Sequence, residues 1–80
     1  MDPTLDLFVD LNSLDETGLP WSFVDEASDR SRIVAGAFVV VGGGSVRAVA
    51  QVVDITEDGI VRVRPLSGPV SEHSHLLQPR

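Results

Sequence analysis

The sequence predicts a mainly β domain, at most α+β, in which a three-stranded meander and one short helix form a small, partly open barrel. Two observations support this fold class. Valine-rich runs separated by turn signals are concentrated in residues 36–66, and such runs are typical of β-strands. The chain has only 80 residues, which leaves room for one hydrophobic core, so we predict a single domain over residues 1–80.

The first predicted element is a half-buried strand over residues 4–11, because apolar and other residues alternate there with a period of two. The apolar positions are Leu5, Leu7, Val9 and Leu11. Asp6 and Asp10 lie between them, and Phe8 interrupts the polar face once. Residues 12–18 are rich in Asn, Ser, Asp and Gly, which indicates a turn.

The second predicted element is a short helix over residues 20–28. Pro20 is suited to the first position of a helix, and Trp21 and Val24 then share one stripe. Asp25 and Glu26 would face the solvent. Because so short a helix is unstable alone, it must be held by packing, with Trp21 as an anchor.

The three-stranded meander is predicted over residues 36–66. Its strands are residues 38–41, 46–55 and 60–66, separated by the glycine-rich residues 42–45 and by Glu57-Asp58-Gly59. The tail, residues 67–80, contains two prolines and two histidines, and we predict that it is loosely ordered.

The second hairpin of the meander has a predictable register. A two-residue Asp-Gly loop would place Ile55 opposite Arg62, which mixes an apolar row with cations. A three-residue loop, with Gly59 in the left-handed region, avoids this mixture. The pairs that follow are Ile55–Val61, Asp54–Arg62 and Val53–Val63. Opposite charges then face each other across the hairpin.

Both faces of the meander are largely apolar, so both need cover. On the middle strand, for example, Val49, Val53 and Ile55 would lie on the same face. Of the two faces of the sheet, one lines the barrel interior. The other would be covered by the helix of Trp21, by the N-terminal strand, or by a second subunit, since a chain of this size buries only a marginal core.

Charge divides the chain into an acidic arm, residues 1–29, and a weakly basic body, residues 30–80. The arm holds eight acidic residues and no basic one, whereas the body holds six arginines and four acidic residues; formal charges of −8 and +2 make up the net −6. Opposite charges attract within one chain or between subunits. The alternative is a solvated acidic surface that keeps the protein soluble.

Composition excludes several classes of protein. The chain has no cysteine, which excludes disulfide scaffolds and cysteine-ligated metal sites. Apolar residues make up 42% of the sequence, too many for a disordered acidic tail. No run of 18 apolar residues predicts a membrane span, and the N-terminus lacks the basic flank of a signal peptide. We therefore expect a cytoplasmic protein without a membrane partner.

Motifs for catalysis or cofactor binding are weak. The glycines at 42–44 lack the lysine and hydroxyl residue of a phosphate-binding loop. His73 and His75 would share a face if they lay in a strand, where they are weak candidates for a metal site. No serine lies in a nucleophile elbow and the chain is short for a substrate pocket. We predict no enzyme activity, no cofactor and no designed metal site.

Three glycine- and valine-rich segments carry a family resemblance. They read Gly-Ala-Phe-Val-Val-Val-Gly (36–42), Val-Arg-Ala-Val-Ala-Gln-Val-Val-Asp-Ile (46–55) and Gly-Ile-Val-Arg-Val-Arg (59–64). Together they resemble small SH3-like barrels, especially the KOW type of ribosome- and transcription-associated proteins, which implies an SH3-like fold. The chain has Arg47-Ala48 where that family has a basic residue followed by glycine, so the resemblance does not carry RNA binding over. Residues 15–27 are also similar to short uncharacterised proteins of high-GC bacteria, which implies no function.

The function predicted from these observations is a non-catalytic protein-interaction module, with a protein partner or a second copy of the chain as its target. The residues predicted to bind the partner belong to the acidic arm: Asp15, Glu16, Trp21, Asp25 and Glu26. Trp21 is alternatively a core anchor.

The alternative function is a role with nucleic acids. Direct binding would use a basic stripe of Arg47, Arg62 and Arg64, for which pairing with acids of the arm is the simpler explanation. The acidic arm would otherwise mimic phosphate and occupy a basic partner. A small enzyme subunit is a third alternative.

Overall fold

The computed structural model describes residues 5–43 and 46–77. The strands in these residues are β1 (Leu7–Phe8), β2 (Trp21–Phe23), β3 (Phe38–Gly43), β4 (Val46–Ile55) and β5 (Ile60–Pro65). Three single turns of 3₁₀-helix are Val24–Glu26, Arg30–Arg32 and Ser74–Leu76, and one short α-helix, α1, is Val70–His73. The predicted mainly β fold class is therefore confirmed.

One five-stranded sheet, in the order β1-β3-β4-β5-β2, curls into a nearly closed barrel. β3, β4 and β5 form the predicted antiparallel meander, and β2 pairs antiparallel with β5. β1 runs parallel to β3. The two ends of the sheet meet where Leu7 bridges to Ala27, and the backbone N–H of Ser28 donates to the carbonyl of Asp6 at 3.0 Å. We call this contact the barrel seam.

Asp6 ties β1 to β3 next to the barrel seam. Its backbone N–H donates to the carbonyl of Val40 at 2.8 Å, and the N–H of Val40 donates to its carboxylate at 2.9 Å. The Asp6 residue is only 2% exposed. A carboxylate buried to this degree needs hydrogen-bond donors, and here a backbone group of β3 supplies one.

The hydrophobic core fills the barrel interior. Its buried members are Leu7, Val9, Ile33, Val39, Val41, Ala50, Val52, Val61 and Val63. The alternation predicted for residues 4–11 is present, since Leu7 and Val9 point inward while Phe8 is exposed. The regular strand, however, is limited to two residues.

The C-terminal tail packs against β4, next to a buried row of the sheet outside the core cluster. Val40 and Val49 pair across these strands and are fully buried, yet they lie outside the core cluster. α1 packs against β4, and the N–H of Leu66 donates to the carbonyl of Val49 at 2.8 Å. The helix predicted at Trp21 is therefore not the cover here, and the N-terminal strand joins the edge of the sheet beside β3. Cover by a second subunit stays a prediction.

The short helix lies in the tail, so its predicted position at residues 20–28 is wrong. Trp21–Phe23 is an edge strand on β5, followed by a single 3₁₀ turn. The carbonyl of Pro20 accepts the N–H of Val63 at 3.0 Å, and aromatic residues favour strands. α1 instead begins after Pro69.

Within residues 5–43 and 46–77, no helix is long and apolar enough to cross a membrane.

The three-residue loop of the second hairpin is confirmed. Gly59 has a φ of +82°, and Thr56 closes the loop by donating its N–H to the carbonyl of Ile60 at 2.9 Å. The predicted pairs Ile55–Val61 and Asp54–Arg62 are present.

The third predicted pair of this hairpin, Val53–Val63, is wrong. A bulge lies between Val52 and Asp54, so Val63 pairs with Val52. An extra residue in one strand reverses which side chains face the core. Val52 is therefore buried, whereas Val53 is 36% exposed.

Candidate functional site

A shallow groove of about 200 Å³ lies at the outer surface of β2 and β5, and we call it the Trp21 groove. Its lining residues are Asp15, Glu16, Trp21, Thr56, Ile60 and Arg62. Three of the five predicted partner-binding residues are therefore brought together in one concave surface. The sequence did not single out Thr56 or Ile60, although the period of two along β5 places Ile60 on the same face as Arg62.

Arg62 occupies the centre of the site because β5 lies between β4 and β2. Its strand neighbours are Asp54 and Trp21. The guanidinium Nε donates to Asp54 Oδ1 at 2.7 Å, and Nη2 donates to Asp54 Oδ2. Nη1 lies 3.8 Å from Asp15 Oδ2. The acidic arm therefore meets an arginine of the body within its own chain.

Asp15 is held in place by its own turn. Its Oδ1 accepts the N–H of Thr17 at 2.8 Å, the N–H of Leu19 at 3.2 Å and the Thr17 hydroxyl. Such side-chain-to-backbone bonds are how aspartate fixes a turn. Asp15 is thus a structural residue at the rim of the groove, whereas its neighbour Glu16 is exposed.

Three charged groups at the groove, Asp15, Asp54 and Arg62, are stabilised in their ionised forms. The hydrogen bonds from Arg62 lower the pKa of Asp54. The hydroxyl of Thr17 lowers the pKa of Asp15, and the charge of Arg62 adds to this effect. The same bonds to Asp54 raise the pKa of Arg62. Since Asp15, Glu16 and Asp54 surround one guanidinium, the groove keeps an excess of negative charge at neutral pH.

An outward-facing aromatic pair lies on β2, and its Trp21 also lines the groove. Trp21 and Phe23 point outward because they flank Ser22, whose side chain is on the buried side. Their ring centroids are 5.4 Å apart with the planes at 84°, the edge-to-face geometry that aromatic rings favour. Trp21 is half-buried and Phe23 is 49% exposed, so the pair offers apolar surface to a partner.

Carboxylates surround this aromatic pair at both ends of β2. Asp25 and Glu26 follow Phe23 in an exposed 3₁₀ turn, and the N–H of Val24 donates to the carbonyl of Gly59 at 2.8 Å. This bond holds the turn beside the loop that carries Glu57 and Asp58. We define the acidic face as Asp15, Glu16, Asp25, Glu26, Asp54, Glu57 and Asp58.

The acidic face carries most of the net charge of the chain. Its seven carboxylates are accompanied by two guanidiniums, those of Arg62 and Arg30, the second lying 3.5 Å from exposed Asp25. The formal charges of these nine side chains sum to −5, and Arg64, exposed on the same face of β5 as Arg62, is the next cation along that strand. A concentrated charge of this size produces a local potential that steers oppositely charged partners.

The three arginines of the predicted basic stripe are not brought together. Arg62 and Arg64 follow one face of β5, but Arg47 pairs with Gly42 at the far end of β4. Seven residues separate Arg47 from Asp54, the neighbour of Arg62, which corresponds to roughly 23 Å along a strand. Arg64 is exposed opposite Gln51. The barrel therefore has no continuous stripe of these three side chains.

His73 and His75 do not lie in a strand. His73 ends α1 and its Nε2 lies 2.6 Å from the carbonyl oxygen of Ser67, whereas His75 lies in the following 3₁₀ turn. The strand in which the two imidazoles would share a face is therefore not formed. Across the described parts of the chain, no three His, Cys, Asp or Glu residues are grouped to hold a metal ion.

A second, larger groove of about 340 Å³ shares no lining residue with the Trp21 groove. Phe8, Leu11 and Val46 provide its apolar surface, and Asp10 is its charged lining residue. The ring of Phe8 lies over Gly43, where a Cβ would be 2.7 Å from Phe8 Cε2. Phe8 is 48% exposed, which makes it a close match for Phe23.

Compared with profiles of known protein families, with curated proteins and with solved structures, the chain matches none.

Proposed function

We propose that this chain is a non-catalytic protein-interaction module that binds a basic segment of a partner protein through its acidic face. The observation that carries the proposal is the outward-facing Trp21–Phe23 pair among charged side chains that sum to −5. Aromatic side chains are enriched where proteins bind one another. Charged groups around them determine which partner binds and how fast it arrives.

The sign of the charge selects the class of partner. Nucleic acid is repelled by the acidic face, and Arg62, a member of the predicted basic stripe, is already bound to Asp54. A second copy of the chain would bring two faces of −5 together, which costs free energy. A basic protein segment is attracted, and its apolar side chains find the aromatic pair.

Affinity capture with matched phenylalanine variants tests this function. Phe23→Ser and Phe8→Ser remove the same side chain at nearly equal exposure, 49% and 48%, but Phe23 pairs edge-to-face with Trp21, whereas Phe8 lies over Gly43 in the second groove. Wild-type chain and both variants would be used as bait in a native lysate, with captured proteins identified by mass spectrometry. Circular dichroism would establish that both variants are folded.

The expected result is a captured protein with a basic segment that is retained by wild type and Phe8→Ser and lost by Phe23→Ser. Retention should weaken in 0.5 M salt, because exposed charges are then screened. The proposal is contradicted if no protein is specifically retained, or if Phe8→Ser abolishes capture while Phe23→Ser does not.

A further inference from the structure

We infer that the Trp21 groove accepts a single lysine or arginine side chain from the partner, with the aliphatic stem on Trp21 and Ile60 and the cationic head beside Glu16. This inference rests on the proposed function and specifies the chemistry that the site recognises. The two side chains share a long apolar stem and a terminal cation.

The size of the groove fits one side chain. Its volume is about 200 Å³, below the roughly 300–1,000 Å³ typical of sites for small molecules and cofactors. Trp21 and Ile60 supply apolar walls against which methylene groups can pack. The indole ring also attracts cations through its face, and more strongly than other aromatic rings do.

The charge of the groove favours a cation over an anion. Arg62 is the guanidinium of the lining, but Asp54 binds it through two nitrogens and Asp15 lies at 3.8 Å. An incoming anion would therefore have to displace a carboxylate from Arg62. An incoming cation instead meets the exposed carboxylate of Glu16 at the rim, next to that of Asp15.

Glu16 is the residue expected to contact the cationic head. Asp15 is fixed by three hydrogen bonds from its own turn, so it sets the negative potential without moving. Glu16 is exposed next to it, and its longer side chain can rotate toward a bound cation. A charge-assisted hydrogen bond to an ammonium or guanidinium is the strong form of this contact.

Short peptides with one variable side chain test the inference directly. The probes are acetylated and amidated Gly-Leu-Xaa-Leu-Gly, in which Xaa is lysine, arginine, norleucine or glutamate. Each would be titrated to 10 mM into the full ¹⁵N-labelled chain while the indole N–H resonance of Trp21 is followed by NMR. We expect saturable shifts with lysine and arginine, and little or no shift with norleucine or glutamate.

A matched pair of variants localises the effect. Glu16→Gln and Glu72→Gln remove one exposed carboxylate each, and Glu72 lies in α1 outside the groove lining. We expect Glu16→Gln to weaken the lysine peptide about fivefold, the size expected for a partly exposed charge contact, whereas Glu72→Gln leaves its affinity unchanged. Equal weakening by both variants would mean that only overall charge matters and would overturn the inference.

The peptide and capture experiments test different statements, so either can give a negative result without the other. If norleucine shifts Trp21 as strongly as lysine, or no peptide shifts it, the groove does not recognise a cation and the inference is overturned. Capture that is still lost in Phe23→Ser would then leave the proposed function standing. Failure of both experiments would remove the interaction module as well.

Discussion

Gly42→Ala is expected to destabilise the fold by about 3 kcal/mol or more, since about 1–3 kcal/mol comes from backbone strain alone. Gly42 has a φ of +137°, where residues with a Cβ are strained. A Cβ there would lie 2.2 Å from the carbonyl oxygen of Val46 and 3.0 Å from its carbon. Both atoms belong to the backbone of the paired strand β4, so neither can move aside without disrupting the β3–β4 hairpin.

Gly18→Ala is the control for this prediction. Gly18 also has a positive φ, +82°, but no atom lies within 4 Å of its added Cβ. Its cost is therefore strain alone, about 1 kcal/mol. Urea denaturation, monitored by circular dichroism, measures the free energy of unfolding of both variants. A domain of this size typically has a free energy of unfolding of only about 4–12 kcal/mol. Equal denaturation midpoints for the two variants would contradict the assigned geometry of β3.

Asp6→Ala is expected to cost about 1–3 kcal/mol, because it leaves the buried N–H of Val40 without its carboxylate acceptor. The loss falls at the barrel seam, where the carbonyl of Asp6 also accepts the N–H of Ser28. Hydrogen exchange should therefore accelerate at Val40 and Ser28. The measurement is urea denaturation combined with amide exchange by NMR.

Asp10→Ala is the control that distinguishes the loss of the hydrogen bond at the barrel seam from the loss of one negative charge in the acidic arm. Asp10 is exposed, and its carboxylate accepts the N–H of Asn12 and the hydroxyl of Ser13, both at 3.0 Å. Losing these solvent-exposed bonds should cost less than about 1 kcal/mol. If Asp10→Ala destabilises the chain as much as Asp6→Ala, the seam does not depend on the buried carboxylate.

The meander was predictable because its signals are local. The β-branched residues of β4 favour a strand wherever they lie, and a glycine after two acids specifies a three-residue loop. The bulge at Val53 was not predictable from the sequence, because Val52 and Val53 both suit a buried position. Only the pairing with Val63 decides which of them is buried. One inserted residue then changes which face each valine occupies.

The edge strand at Trp21 shows how tertiary pairing overrides a local signal. Pro20 suits the start of a helix and equally the start of an edge strand, so the sequence around it fits both. Pairing of Trp21 with Arg62 of β5 decides for the strand. The position of the short helix was mispredicted for a related reason, because α1 has four residues, too few for a helical period, and packs against β4.

The candidate site was predictable in two halves but not as a whole. Asp15, Glu16 and Trp21 are close in sequence, and the hairpin register joins Asp54 to Arg62. Their meeting depends on β2 pairing with β5, which is a contact between residues about 40 positions apart. The separation of Arg47 from Arg62 follows from the length of β4. The number of arginines in the sequence does not indicate this distance.

A two-dimensional ¹H–¹⁵N NMR titration of the full chain decides whether the acidic face binds a basic partner. Nona-arginine is one probe and a short DNA duplex is the other, both at low salt. We predict that nona-arginine shifts the resonances of Glu16, Trp21, Phe23 and neighbouring Ile60, and that DNA shifts none of them. Shifts from DNA around Arg47 and Arg64, or shifts from nona-arginine centred on Phe8 and Val46, would contradict this prediction.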